Sequence, residues 1–71
     1  MARELLLERV TANMKSARVK KGMTQADVAE KLGVTRQTFI TYEANPQTVP
    51  FGTFVSMAEI YGCEVSYFFG D

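Results

Sequence analysis

Apolar residues recur along this chain every three to four positions and almost never every second one. That period marks helices with one buried face, not strands. Leu6, Val10, Met14 and Ala17 trace such a face along a first helix from about Ala2 to Lys20. Lys20-Lys21-Gly22 reads as its end, since cations suit the negative helix terminus and glycine suits a left-handed cap. A second helix opens at Thr24, an N-cap residue, with Asp27 three positions on as the acidic half of a capping box. Ala26, Val28, Ala29 and Leu32 form its inward side, and Gly33 ends it.

Thr35 is again an N-cap, opening a third helix that runs to Tyr42 or Glu43. Val34, Phe39 and Tyr42 fall on its inner side. Arg36, Gln37, Ile40, Thr41 and Ala44 fall on its outer side. Asn45-Pro46-Gln47-Thr48-Val49 reads as a loop, and Pro50 fits a helix start because its missing N–H is an orphan there. A fourth helix from Pro50 to Tyr61 carries Phe51, Phe54, Val55, Ala58 and Tyr61 as its apolar set, and Gly62 stops it. A short fifth helix from Val65 to Phe69 carries Val65, Phe68 and Phe69. The pattern predicts an all-α domain of five helices spanning residues 1–71.

Composition narrows the function more than the fold. With 46% hydrophobic and 23% charged residues, the chain has the make-up of a folded globular domain, not a disordered one. No apolar run approaches the roughly 20 residues a membrane helix needs. Leu5-Leu6-Leu7 is too short for a signal-peptide core and lies between Glu4 and Glu8, so the expected location is cytoplasmic. One cysteine, Cys63, and no histidine exclude an internal disulfide and the usual zinc ligand sets. No nucleophile-and-base pair, metal site or phosphate-cradling glycine loop is evident, so neither an enzyme nor a cofactor is expected.

The net charge is zero, but its distribution is uneven. All eight basic residues lie in residues 1–36 with four acids, whereas residues 37–71 hold four acids and no cation. A dedicated DNA binder shows a clear basic footprint. Here the footprint is confined to one half of the chain.

The informative stretch is Thr24 to Glu43, two short helices joined by a tight turn holding one glycine. Ala29 stands where a small side chain lets two helices cross closely. Gly22-Met23-Thr24-Gln25, Ala29-Glu30-Lys31-Leu32-Gly33-Val34-Thr35-Arg36, and the later set Phe54, Val55, Met57, Ala58, Tyr61-Gly62 and Tyr67-Phe68-Phe69-Gly70 occur together in register. In these positions the chain resembles the lambda-repressor/Cro-type (XRE-like) helix-turn-helix family, from about Val10 to Gly70.

The resemblance implies that helix 2 touches the DNA backbone and helix 3 enters the major groove. Gln25 matches a phosphate-contacting glutamine. Thr35, Arg36, Gln37 and Thr41 match groove-facing positions. Arg36 suits the guanine O6/N7 pair and Gln37 the adenine N6/N7 pair, while the Thr35 and Thr38 hydroxyls suit phosphate oxygens. Arg18 and Glu43 match an arginine and a glutamate that meet as a partly buried ion pair. No metal and no small-molecule substrate are implied.

Three features depart from that family. The loop at Ala44-Asn45-Pro46-Gln47 carries no cation. Ile40 stands on the outer face of helix 3, where a polar residue is usual; it could touch a thymine methyl or anchor a protein contact. Residues 1–9 extend helix 1, and Leu5, Leu6 and Leu7 point around most of it. One core cannot bury all three, so one or two are expected on the C-terminal aromatic segment or a second subunit.

Two functions fit these features. One is a small repressor- or Cro-like regulator that binds double-stranded operator DNA as a homodimer, because one helix reads too few bases alone. The other is a phage antirepressor or modulator of repression that uses the same face to bind a repressor protein. Gln25, Arg36 and Gln37 favour DNA; the cation-free second half and Ile40 favour a protein.

Overall fold

The computed structural model describes residues 2–70; Met1 and Asp71, the ends of the expected domain span, lie outside the described residues. Five α-helices follow in order: α1 Arg3–Lys20, α2 Gln25–Leu32, α3 Arg36–Ala44, α4 Phe51–Tyr61 and α5 Val65–Phe68, with a 3-10 turn at Pro46–Thr48 before α4. No strand occurs among the described residues.

Local chemistry sets the helix ends. The Asp27 N–H donates to Thr24 Oγ1 at 3.1 Å and the Thr24 N–H donates back to Asp27 Oδ2 at 2.9 Å, a complete capping box for α2. The Thr38 N–H donates to Thr35 Oγ1 at 3.1 Å, capping α3. Between them Gly33 has φ 74°, a left-handed conformation that glycine adopts without steric cost. That residue lets the chain reverse sharply, and the Val34 N–H closes the turn on Ala29 O at 3.0 Å. Pro50 stands in the extended N-cap position, and α4 begins one residue later than the sequence suggests.

Val10 and Met14 of α1, Val28 of α2, Phe39 of α3, Met57 of α4 and Phe68 of α5 are fully buried, so every helix sends at least one side chain to a shared centre. Burying a side chain of this size stabilises by ~1.5–3 kcal/mol each. Phe68 is the keystone: its ring meets Tyr61 edge-on at 6.2 Å and lies 6.0 Å from Phe54. Asn13 Nδ2 donates to Phe68 O at 3.2 Å, which pins the short α5 to α1.

Several side chains expected inside are outside. Leu6, Phe51 and Val55 are exposed, and so is Ala26. The inward face of α4 is the row Phe54, Met57, Ala58, Tyr61; Phe51 and Val55 lie beside that row, where no neighbouring helix reaches far enough to cover them. In α1, Val10 is the first fully covered residue, because the extension runs past the other helices. Leu5 and Leu6 are exposed; Leu7 is partly buried in a groove with Ala44 and Pro46, not on the C-terminal aromatic segment. Ile40, expected on the outer face, is partly buried. At ~100° per residue it sits about a quarter turn from the inward axis through Phe39, on the flank of α3.

No described helix is long and apolar enough to cross a membrane. No cluster of three or more potential metal ligands occurs among the described residues.

Candidate nucleic-acid interface

The α2–turn–α3 unit presents one polar ridge. Arg36, Gln37 and Thr41 are exposed on α3 and make no side-chain hydrogen bond among the described residues. Gln37 and Thr41, four apart, stand one above the other. Thr35 is exposed and Thr38 partly buried. The Thr35 hydroxyl accepts the Thr38 N–H and donates to Thr38 Oγ1 at 2.9 Å. With that proton committed, the free hydroxyl donor of the pair is on Thr38.

Gln25 is the first residue of α2 and is partly buried. It shares a shallow depression with Thr24, Ala26 and Met23 of the α2 entry, and with Arg18 and Arg36. The depression therefore joins the N-terminus of α2, which carries positive partial charge, to an exposed guanidinium. This is chemistry suited to an anion.

Behind the ridge lies a buried charge cluster. Arg18 Nε donates to Glu43 Oε2 at 2.9 Å and Nη2 donates to Oε1 at 3.1 Å, a bidentate pair. Arg18 Nη1 also donates to Met23 O at 3.0 Å, and Gln25 Nε2 donates to Glu43 Oε1 at 3.2 Å. Arg18 is 8% exposed and Glu43 5%, so neither charge is available to a ligand, and both act on the position of α3 instead. The link from Gln25 to Glu43 depends on how α2 and α3 cross and leaves no local signature in the sequence, whereas the Arg18 anchor on Met23 O lies within the turn that follows α1.

Tyr61 sits beside this cluster. Its buried hydroxyl has no hydrogen-bond partner among the described residues, and burial, with Glu43 nearby, pushes its pKa far above the usual range. Asp27 is held below its usual value by its hydrogen bonds with Thr24. Burial raises Cys63, whereas Tyr67 is lowered by its bonds to Ser16 and Lys20. Lys20 Nζ donates to Tyr67 Oη at 3.4 Å and lies 5.5 Å from the ring centre, so this cation is folded onto α5.

The loop after α3 keeps its own carbonyls busy: Asn45 O accepts the Thr48 N–H at 2.9 Å and the Thr48 hydroxyl at 2.7 Å. Asn45 and Gln47 are exposed and Pro46 is buried. Only amide groups and backbone are on offer there.

Comparison with known proteins agrees with this geometry. The helix-turn-helix family profile matches residues 14–68. The chain is 31% identical over 55 residues to an uncharacterized HTH-type transcriptional regulator, YqaE, of Bacillus subtilis. The match covers 78% of this chain and 47% of the relative, so the chain spans about half the length of the relative it matches. No solved structure gives a significant match.

Proposed function

The chain belongs to the helix-turn-helix family, and on that premise we propose that it is a cytoplasmic, repressor- or Cro-like transcriptional regulator that binds operator DNA as a homodimer. In this reading α3 enters the major groove. Arg36 and Gln37 meet base edges, Thr41 lies further along the groove, and Gln25 and the Thr35–Thr38 pair meet phosphates.

The observation that supports this reading most is the meeting of Gln25, Arg36 and the α2 N-terminus around one depression at the foot of α3. A phosphate there faces an amide donor, a guanidinium and backbone dipoles of one sign. The exposed row Gln37 and Thr41 continues from that point along the helix. Ile40, one of the features that favour docking on a repressor protein, is partly buried and offers such a partner less apolar surface.

The interface is poor in cations, because Arg18 and Lys20 are engaged within the fold and the loop after α3 has none. Few phosphates are then neutralised, and each contributes ~0.9 to the slope of log affinity against log salt. The test is titration of a labelled duplex over a salt series. Binding with a shallow, measurable slope supports the proposal. Absence of binding at low salt overturns it and favours docking on a protein.

A further inference from the structure

We propose that Lys15 of α1 holds a backbone phosphate of the duplex beside the loop after α3, and so replaces the cation that this loop lacks. The inference rests on the reading of the chain as a DNA binder and names a charge on which its affinity depends.

Most cations of the chain are already in use. Arg18 is buried on Glu43, and Lys20 is folded onto Tyr67. Arg9 lies against Gly70, with Cδ and Nη1 3.3 Å from the position of a Cβ there, and Lys21 Nζ lies 3.9 Å from the same position on Gly62. Lys31 stands one turn after Asp27 on α2, close enough to lower its pKa. Arg36 borders the depression at the α2 entry, and Arg3 is at the far end of α1. Lys15 is exposed and makes no hydrogen bond or ion pair among the described residues.

Its place on α1 joins the two ends of the candidate face. Lys15 is four residues after Thr11 and three before Arg18, so the three share one side of the helix. About the helix axis it points ~40° from Thr11 and ~60° from Arg18. Thr11 borders a groove with Asn45 and Gln47 of the loop, and Arg18 borders the depression that holds Gln25 and Arg36. Lys15 therefore stands between loop and depression. The opposite side of α1, with Asn13, Ser16 and Lys20, is taken up by α5 and its neighbours.

Charge decides where along this side a phosphate settles. Glu4 and Glu8 border the same groove towards the start of α1 and repel phosphate from that half. Glu8 is two turns before Lys15, ~10 Å along the axis and about one Debye length at physiological salt, so it does not cancel the ammonium. Glu43, at the end of α3, is already neutralised by Arg18. The Asn45 and Gln47 amides offer a phosphate hydrogen bonds but no counter-charge. A lysine on a flexible stem supplies that charge without demanding one geometry.

The experiment is titration of a labelled duplex over a salt series with the whole protein, for the wild type, Lys15→Gln, Lys15→Arg and Lys20→Gln. Lysine, glutamine and arginine have similar helix propensities, and Lys15 is exposed within α1, so both Lys15 variants remain folded. Lys15→Gln is expected to weaken binding several-fold at low salt, alike on preferred and scrambled duplexes, and to flatten the slope of log affinity against log salt by ~0.9. Lys15→Arg keeps the charge and the slope. Lys20→Gln removes the same charge from the α5 side of α1 and is expected to leave the slope as in the wild type. Equal flattening by Lys20→Gln overturns the inference, because net charge alone then accounts for the effect. A wild type that binds no duplex at low salt removes the functional reading itself, whereas wild-type binding with an unchanged Lys15→Gln slope removes only the role of Lys15.

Discussion

Gln25 donates its side-chain amide to Glu43 Oε1, the same oxygen that receives Arg18 Nη2. One carboxylate thus joins α1, α2 and α3 and fixes both the foot of α2 and the end of α3. The residue proposed to meet phosphate is held by the residue that seats α3, so the two are not independent in energy.

That arrangement makes the single variants costly and the double variant mild. Glu43→Ala leaves Arg18 buried without its counter-ion, and the expected loss is ~3–5 kcal/mol, comparable with the whole stability of a small domain. Arg18→Met combined with Glu43→Leu removes both charges and is expected to recover most of the loss. Urea unfolding of the three variants decides it. A Glu43→Ala loss below about 1 kcal/mol would mean that the pair is screened or dispensable.

The face proposed to meet DNA offers two kinds of contact. Gln25→Ala is expected to weaken binding about equally for all sequences, because a phosphate carries no sequence information. Arg36→Ala is expected to cost ~1–3 kcal/mol on the preferred site and little on a mismatched one, relaxing preference at one base pair. Competition titrations with preferred and scrambled duplexes read both. Should Arg36→Ala lower both affinities alike, Arg36 is a phosphate contact and base reading lies with Gln37 and Thr41.

Much of this architecture is legible in the sequence because its signals are local. The Thr24–Asp27 box, the Thr35 cap and the left-handed glycines at 22, 33 and 62 each act within one turn of chain, and all stand where their chemistry suggests. The outer row of α3 follows from period alone. Features that need a second helix to define them are less accessible. Whether Phe51 and Val55 are inside depends on how far α5 reaches over α4, and the helical period cannot report that. The same holds for Leu6, which repeats the Val10 spacing but extends beyond its neighbours. Ile40 lies a quarter turn from the buried axis, where the helical period does not separate inside from outside. The Gln25–Glu43 bond spans 18 residues and depends on the crossing of two helices.

Tyr61 offers a stabilising substitution. Its hydroxyl is buried beside Glu43 without a hydrogen-bond partner among the described residues, so folding strips it of water with no bond in exchange there. Tyr61→Phe keeps the ring and its edge contact with Phe68 while removing the orphan oxygen. The expected gain is up to about 1 kcal/mol, or a rise of ~4–8 °C in Tm for a domain of this size. A fall in Tm on this change would reveal a hydrogen bond to the phenol that the fold supplies in solution.

Asp27 gives the fold a dependence on acid whose sign is set by its cap. Its bonds with the Thr24 backbone and hydroxyl hold the folded pKa below the ordinary 3.8, so the carboxylate favours the folded state when ionised. That contribution is fully present above the unfolded value and is lost as pH falls through the lower folded one. At neutral pH, Asp27→Ala is therefore expected to lower Tm by weakening the start of α2. As the pH falls through the lowered folded value the two proteins should converge, because wild-type Asp27 is then protonated as well. Thermal melts of both proteins across this range are the measurement. A Tm gap that stays constant down to acid would mean that the ionised carboxylate plays no part in the cap, and that the Thr24 hydroxyl alone holds the helix start.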